Sequence, residues 1–104
     1  GTIINKKKIA ASYIYQLLLS ADVSNVKSLT LADADVAEFT AKTNSIVTKH
    51  KVKDLPLPKE SIIGGLVRNG KGILVTGNTL IQPGDYVVVF CLSMTIKKIE
   101  KFFN

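Results

Sequence analysis

The segment Gly65–Gly72, GLVRNGKG, has the glycines and the lysine of a phosphate-binding loop. In such a loop, backbone N–H groups surround the phosphates, and a Ser or Thr after the lysine contacts magnesium. Here Gly72 follows Lys71, so the magnesium ligand is missing. Asn69-Gly70 also predicts a tight hairpin turn instead of a helix N-terminus that could receive a phosphate. We therefore expect no nucleotide-binding loop in this segment.

Three carboxylates, Asp33, Asp35 and Glu38, are close together in the sequence and could be metal ligands or acid–base groups. No glycine completes a calcium-binding loop around them, and no histidine accompanies them. We interpret these residues as a polar turn or as the solvated face of a strand.

The chain has one cysteine and one histidine, too few for a zinc site of these residues. Cys91 lies inside the apolar run Tyr86–Leu92, which predicts a buried thiol, and a single cysteine is typical of a cytosolic protein. His50 has lysines on both sides and is expected on the surface. The sequence contains no dinucleotide fingerprint and no spacing typical of a Ser–His–Asp triad. It therefore predicts that the chain is not an enzyme.

The composition is that of one folded domain. A length of 104 residues fits a single domain, and a hydrophobic fraction of 46% provides a core. No apolar run is long enough to span a membrane. A net charge of +6 would permit contact with nucleic acid or an acidic membrane. However, the lysines are spread over separate elements without interleaved aromatic residues, so nucleic-acid binding is not expected.

The elements of the N-terminal half are predicted from periodicity. Asn5 can cap a helix over about Lys6–Ser20, which has an apolar stripe at helical spacing. Val26–Ala41 is predicted as one long strand, or as two strands joined at the aspartates. A short helix or turn is expected around Lys49–Leu55.

The C-terminal half has the pattern of strand, turn, strand, turn, strand and helix. Asn69-Gly70 joins two strands of a hairpin, and Gly64-Gly65 suggests a bulge or the close approach of a ligand or another backbone. The segment Gln82–Asp85 suits a type II turn before a buried central strand, Tyr86–Leu92. A closing helix is expected to be capped by Ser93 or Thr95 and to bury Ile96, Ile99 and Phe103. The predicted fold is α+β: a small mixed sheet of about four strands with a β-hairpin, flanked by an N-terminal and a C-terminal helix.

The segments Leu55–Gly70 and Asn78–Phe90 closely resemble the TrkA-C domain, the C-terminal regulatory half of the regulator-of-potassium-conductance (RCK) unit. The resemblance covers residues 26 to 103. It implies that residues 1–25 are a connecting helix from a preceding nucleotide-binding half and that residues 26–104 form the regulatory domain. NAD or ATP would bind that upstream half, and no cofactor is expected in this chain.

The resemblance also implies a function. The chain would be a cytosolic, homodimeric, ligand-sensing domain at the inner face of the cell membrane, working with a membrane potassium transporter subunit. The alternative is the same domain attached to another cation antiporter or to an anion symporter. Some relatives bind cyclic di-AMP in the dimer cleft, and the matching effector-binding candidates here are Ile62, Ile63, Arg68 and Asn69. The residues themselves leave open that Arg68 is only a solvated strand end.

Overall fold

A computed structural model describes residues 35–59 and 61–104 of the chain. Within these residues, four strands form one sheet in the order β1-β4-β2-β3, and a short helix follows the last strand. The elements are β1 (Asp35–Thr40), β2 (Ser61–Arg68), β3 (Lys71–Leu74), β4 (Tyr86–Cys91) and α1 (Ile96–Glu100). The predicted N-terminal helix lies outside the described residues, as does the predicted strand before Asp35.

All three strand pairings in the described part are antiparallel, so the prediction of a mixed sheet was wrong on this point. The reason lies in the position of β4, which enters the sheet between β1 and β2. Those two strands run in the same direction but never pair with each other. The α+β class, the four strands, the hairpin and the closing helix are confirmed.

The core lies on one face of the sheet. Phe39 of β1 and Val87 of β4 are directly opposite each other and fully buried. Phe103 stacks on Phe39 with ring centroids 4.8 Å apart and an interplanar angle of 11°. Because β4 has a strand on either side, five of its six residues are buried, as expected for a central strand. The prediction of a buried central strand is confirmed.

Both predicted tight turns are present. Asn69 and Gly70 have φ angles of 52° and 77°, the left-handed values that a two-residue type I′ hairpin requires. In the second turn, Gly84 has a φ of 91°, and the Asp85 N–H donates to the Gln82 carbonyl at 3.0 Å. This is the type II arrangement, in which glycine accepts the positive φ.

A bulge interrupts β2 where the two glycines predicted it. The register with β4 pairs Ile63 with Val89 and then Gly65 with Val88, which leaves Gly64 as the extra residue. Before the bulge, Ile63 joins the core while Ile62 points to the other face of the sheet. The bulge therefore lies immediately beyond the two predicted effector-binding isoleucines.

The closing helix is built as predicted on its inner face but not at its start. Ile99 and Phe103 are fully buried, and Ile96 packs against the core. Neither Ser93 nor Thr95 caps the helix with its side chain, so that prediction was wrong. Thr95 has helical φ and ψ instead of the extended values of an N-cap, and its hydroxyl donates to the Leu92 carbonyl. The Ser93 hydroxyl donates to Asp35.

The segment between β1 and β2 contains two 3₁₀ turns, Ile46–Thr48 and Val52–Asp54, in the region where a short helix or turn was predicted. Two backbone hydrogen bonds attach this segment to the loop after β3. The Val52 N–H donates to Thr79 O, and the Lys53 N–H donates to Gly77 O, both at 2.9 Å. Among the described helices, none is both long and apolar enough to cross a membrane.

Candidate functional site

The four predicted effector-binding residues lie on β2 and the turn that follows it, but not at one place. Ile62 and Ile63 are at the start of the strand, whereas Arg68 ends it and Asn69 begins the hairpin turn. Ile62 and Arg68 are six positions apart along the extended strand, a separation of roughly 20 Å. Within a single chain, the structure therefore places the two isoleucines together and the Arg68–Asn69 pair apart from them.

Ile62 and Ile63 line an open cleft of about 400 Å³. Its other walls come from the segment between β1 and β2 and from the end of the hairpin. The apolar lining consists of Val52, Leu55, Leu57, Pro58, Ile62, Ile63 and Val75. A cleft lined mainly by branched apolar side chains, with a few polar groups, is the usual form of a small-molecule site.

Some polar groups of the cleft already have hydrogen-bond partners within the chain, and others face solvent. The Ser61 hydroxyl donates to the Pro58 carbonyl at 2.6 Å, and the Thr76 N–H donates to the Thr79 hydroxyl at 2.9 Å. Lys59 is exposed and forms no ion pair with any residue of the described part. Lys59 is therefore the cation that this cleft can offer to an anionic ligand.

Beside the cleft, one edge of the sheet has no partner strand among the described residues. The strand β3 pairs with β2 only from Gly65 to Arg68, so residues 61–63 have β4 on one side and no described strand on the other. About half of the backbone polar groups of such a segment point away from the strand with which it pairs. An open edge of this kind can pair with a strand of another chain.

Arg68 forms a bidentate ion pair with Asp85. Its Nε atom donates to one carboxylate oxygen at 2.8 Å, and its Nη2 atom donates to the other at 2.6 Å. The Gln82 N–H also donates to this carboxylate, at 2.8 Å. The ion pair thus joins the end of β2 to the type II turn before β4, and Arg68 is more than a solvated strand end.

The pKa values of this pair follow from its surroundings. Burial by itself would raise the pKa of the Asp85 carboxyl, but the hydrogen bonds from Arg68 and from the Gln82 amide outweigh burial and hold that pKa below its ordinary value. The hydrogen bond to Asp85 raises the pKa of the Arg68 guanidinium, against a smaller opposing effect of burial. Both groups are therefore charged over the physiological range.

The carboxylates at β1 do not form a metal centre in the described residues, where no group of three or more His, Cys, Asp or Glu side chains could hold a metal ion. Asp35 is exposed and accepts the Ser93 hydroxyl, whereas Asp33 lies outside the described residues. Glu38 is only 1% exposed, so the prediction of a solvated strand face was wrong for this residue. Its position next to the central strand buries it.

Cys91 and His50 lie where the sequence predicted. Cys91 is fully buried, and its burial raises the pKa of the thiol to about 11, although a hydrogen bond involving Thr95 acts in the opposite direction. His50 is exposed. A buried thiol with a raised pKa has little thiolate at neutral pH and is a poor nucleophile.

Sequence reasoning did not identify Lys59, Val75 or the loop at Thr76 as parts of the site. Lys59 follows Pro58 on one wall, whereas Val75 and Thr76 face that wall where Val52 and Lys53 are hydrogen-bonded to the loop after β3. The signal in the sequence was the run Leu55-Pro56-Leu57-Pro58, because two prolines hold a connection extended. Here this connection forms one wall of the cleft.

The chain is similar to known proteins over the part that contains this site. The family model described as "TrkA-C domain" matches residues 36–104. A Trk system potassium uptake protein TrkA of Azorhizobium caulinodans is 30% identical over 101 residues, and a TrkA homolog of Archaeoglobus fulgidus is 32% identical over 104 residues. Each alignment covers 97% of this chain but only 22% of the relative.

The fold is also that of a solved domain. A structure named "Structure of RCK domain with cda" superposes with a TM-score of 0.56 at 16% sequence identity, covering 66% of this chain and 97% of that one. This chain therefore shares the fold of that domain, and it spans less than a quarter of the length of the two TrkA relatives above. Since the family model matches residues 36–104, the chain belongs to the TrkA-C domain family.

Proposed function

We propose that this chain is the dimerising, effector-sensing domain of a potassium uptake system, in which it regulates a membrane potassium transporter subunit. The observation that carries the proposal is the match of residues 36–104 to the TrkA-C domain, together with relatives named as Trk potassium uptake proteins along nearly the whole chain. The protein acts in the cytoplasm, at the inner face of the cell membrane. The domain itself performs no catalysis.

The open edge of β2 supports the dimer. On the side away from β4, residues 61–63 pair with no strand of the described part, and Ile62 and Leu57 provide apolar surface next to them. A second copy that approaches this edge would satisfy those groups and bury the apolar walls of the cleft. It would also place two clefts side by side across a two-fold axis.

The cleft supports the effector, for which we propose cyclic di-AMP. This ligand has two flat bases and two phosphates related by two-fold symmetry, which matches a site built from two identical halves. The bases would pack against Ile62 and Ile63, and Lys59 would face a phosphate. Since Arg68 and Asn69 are roughly 20 Å from the isoleucines within one chain, we propose that they contribute from the second copy. The domain resembles one whose name records a complex with "cda".

Regulation follows from the position of the effector between two copies. A ligand that binds one arrangement of the dimer more tightly than another shifts the population toward that arrangement. The change in dimer geometry would then pass to the transporter subunit through the rest of the protein. The size of the effect is limited by the difference in affinity between the two arrangements.

Calorimetric titration of the 104-residue chain with cyclic di-AMP tests the effector. We expect a binding isotherm with one ligand per two chains. Replacing Ile62 by Asp should abolish this binding, because the substitution adds a charge to the apolar wall. The matched control is Leu80→Asp, which changes a 46% exposed leucine that does not line the cleft. Equal loss in both variants, or no heat with the unaltered chain, would contradict the proposed effector.

Sedimentation velocity separates dimerisation from effector binding. We expect the unaltered chain to sediment as a dimer at micromolar concentration and the Ile62→Asp variant to sediment as a monomer. A monomeric unaltered chain, both with and without cyclic di-AMP, would argue against pairing through β2. A dimer without any heat of binding would leave pairing intact and remove cyclic di-AMP as the effector.

A further inference from the structure

The closing segment of the chain presents a row of cations to solvent. Lys97, Lys98 and Lys101 are all exposed, whereas Ile99 and Phe103, on the opposite side of the same segment, are fully buried. Residues spaced by three and four positions lie on one face of a helix. The packing of the apolar side against the sheet therefore fixes the direction in which the lysines point.

Two further lysines extend this row beyond the helix. The Lys42 N–H donates to the Phe103 carbonyl at 3.0 Å, which holds the residue after Ala41 against the end of the closing segment. Lys49 directly follows the 3₁₀ turn Ile46–Thr48, and that turn contacts residues 101–103. We call the five residues Lys42, Lys49, Lys97, Lys98 and Lys101 the lysine face.

No carboxylate neutralises the lysine face within the part of the chain that the structure describes. The ion pair formed there joins Arg68 to Asp85, at the hairpin end of β2. The last twelve residues, 93–104, contain three lysines and a single acid, Glu100, which is half-buried. Three exposed lysines on the closing segment, with two more on segments that contact its end, attract an anionic surface.

An apolar side chain lies just before the helix. Met94 is 81% exposed and precedes Lys97 and Lys98 by three and four positions. It lies in the 3₁₀ turn Ser93–Thr95, which leads directly into α1 and so brings it close to the start of the closing segment. Cations combined with a protruding flexible apolar side chain are typical of protein surfaces that lie on lipid, where the charge meets headgroups and the apolar group enters the interface.

We propose that the lysine face, with Met94 beside it, binds the surface of an anionic phospholipid membrane directly. Single-stranded nucleic acid fits this face less well, because its bases stack on exposed aromatic rings. On the closing segment Phe103 is fully buried and Phe102 is half-buried. The lipid contact goes beyond the proposed regulatory function, since a domain that is held near a membrane by a transporter subunit need not touch lipid itself.

Vesicle co-sedimentation of the 104-residue chain tests this inference. We expect the chain to bind vesicles of phosphatidylcholine with about 30 mol % phosphatidylglycerol, and not vesicles of phosphatidylcholine alone. Binding should weaken steeply as salt is raised, because exposed charges are screened. The double variant Lys97→Gln with Lys101→Gln should bind the anionic vesicles roughly 30-fold more weakly.

The matched control removes the same charge elsewhere. Lys53 and Lys71 are exposed and lie outside the lysine face, so a Lys53→Gln, Lys71→Gln variant should retain nearly all of the binding. Met94→Gln should reduce binding even though the charge is unchanged. Equal loss in the two double variants would show a response to net charge alone and overturn the inference. Absence of binding to anionic vesicles, or retention of the chain only by duplex DNA or by an acidic protein, would overturn it as well.

Discussion

At the scale of single residues, the ion pair with Asp85 gives Arg68 a structural role in addition to the one that the family resemblance implies. The resemblance implies an effector contact for Arg68. The structure engages both its Nε and its Nη2 with Asp85, whose side chain is 2% exposed. The Arg68 side chain is 27% exposed, so the remaining N–H groups of its guanidinium can still meet a ligand or a second chain.

Replacing Asp85 by Asn should lower the free energy of unfolding by about 2 kcal/mol, below the usual cost of breaking a buried pair because Arg68 is partly exposed. The variant leaves the guanidinium without its counter-charge. Urea denaturation measures the loss. Asp54→Asn is the control, since Asp54 is exposed and forms no ion pair with the described residues, and it should change stability little. A similar loss in both variants would contradict a specific role for the pair.

The difference in free energy of unfolding between the unaltered chain and the Asp85→Asn variant should depend on pH, because the fold lowers the pKa of the Asp85 carboxyl. The pKa of the carboxyl is lower in the folded chain than its ordinary value of 3.8, so the unfolded chain binds the proton more readily. The stabilisation is therefore complete above the ordinary pKa and is lost as pH falls through the lower, folded value. The stability difference between the Asp85→Asn variant and the unaltered chain should stay constant near neutral pH and shrink in strongly acidic solution.

At the scale of elements, the hairpin formed by β2 and β3 is set by two residues with positive φ. Gly70 has a φ of 77°, and a Cβ atom added to it would meet no atom within 4 Å. Any cost of a side chain at this position therefore comes from the backbone conformation and not from crowding. The turn keeps Arg68 opposite Lys71 in the register of the hairpin.

Gly70→Ala should lower the free energy of unfolding by about 1 kcal/mol, because alanine is strained at a left-handed φ. Gly70→Asn is the matched variant, and it should lose less, since asparagine adopts this conformation more readily. Thermal unfolding followed by circular dichroism measures both. If asparagine and alanine cost the same, backbone strain is not the property that glycine provides here.

At the scale of the whole molecule, the domain is closed by contact between its two ends. Phe39 of β1 stacks on Phe103, the residue before the last, and the Lys42 N–H donates to the Phe103 carbonyl. This closure also orients the lysine face. A substitution in the core beneath the closing segment should therefore change both the free energy of unfolding and the orientation of the lysine face.

Phe103→Ala should lower the free energy of unfolding by about 3–5 kcal/mol, because it removes a fully buried ring and leaves a cavity. Phe102→Ala is the comparison, since Phe102 is only half-buried and should cost clearly less. Chemical denaturation of both variants provides the measurement. A greater loss for Phe102 would mean that the stacked pair does not hold the closing segment.

The sequence alone determined the local elements of the C-terminal half. Asn69-Gly70 and Pro83-Gly84 specified their turns because few residues accept the required φ values, and the long apolar run specified the central strand. The closing helix was predictable from Ile96, Ile99 and Phe103, although its cap was not. Two isoleucines of the candidate site were identified, but through a resemblance and not through chemistry that the residues display.

Only the tertiary structure decided what depends on contacts distant in sequence. The insertion of β4 between β1 and β2 made the sheet antiparallel and buried Glu38, and no local pattern encodes strand order. The cleft exists because Val52 and Lys53 bond to a loop more than twenty residues later. Arg68 pairs with the carboxylate of Asp85, which is seventeen residues later in the sequence. Periodicity and turn chemistry act over a few residues, whereas partners across a sheet are fixed only when the whole chain packs.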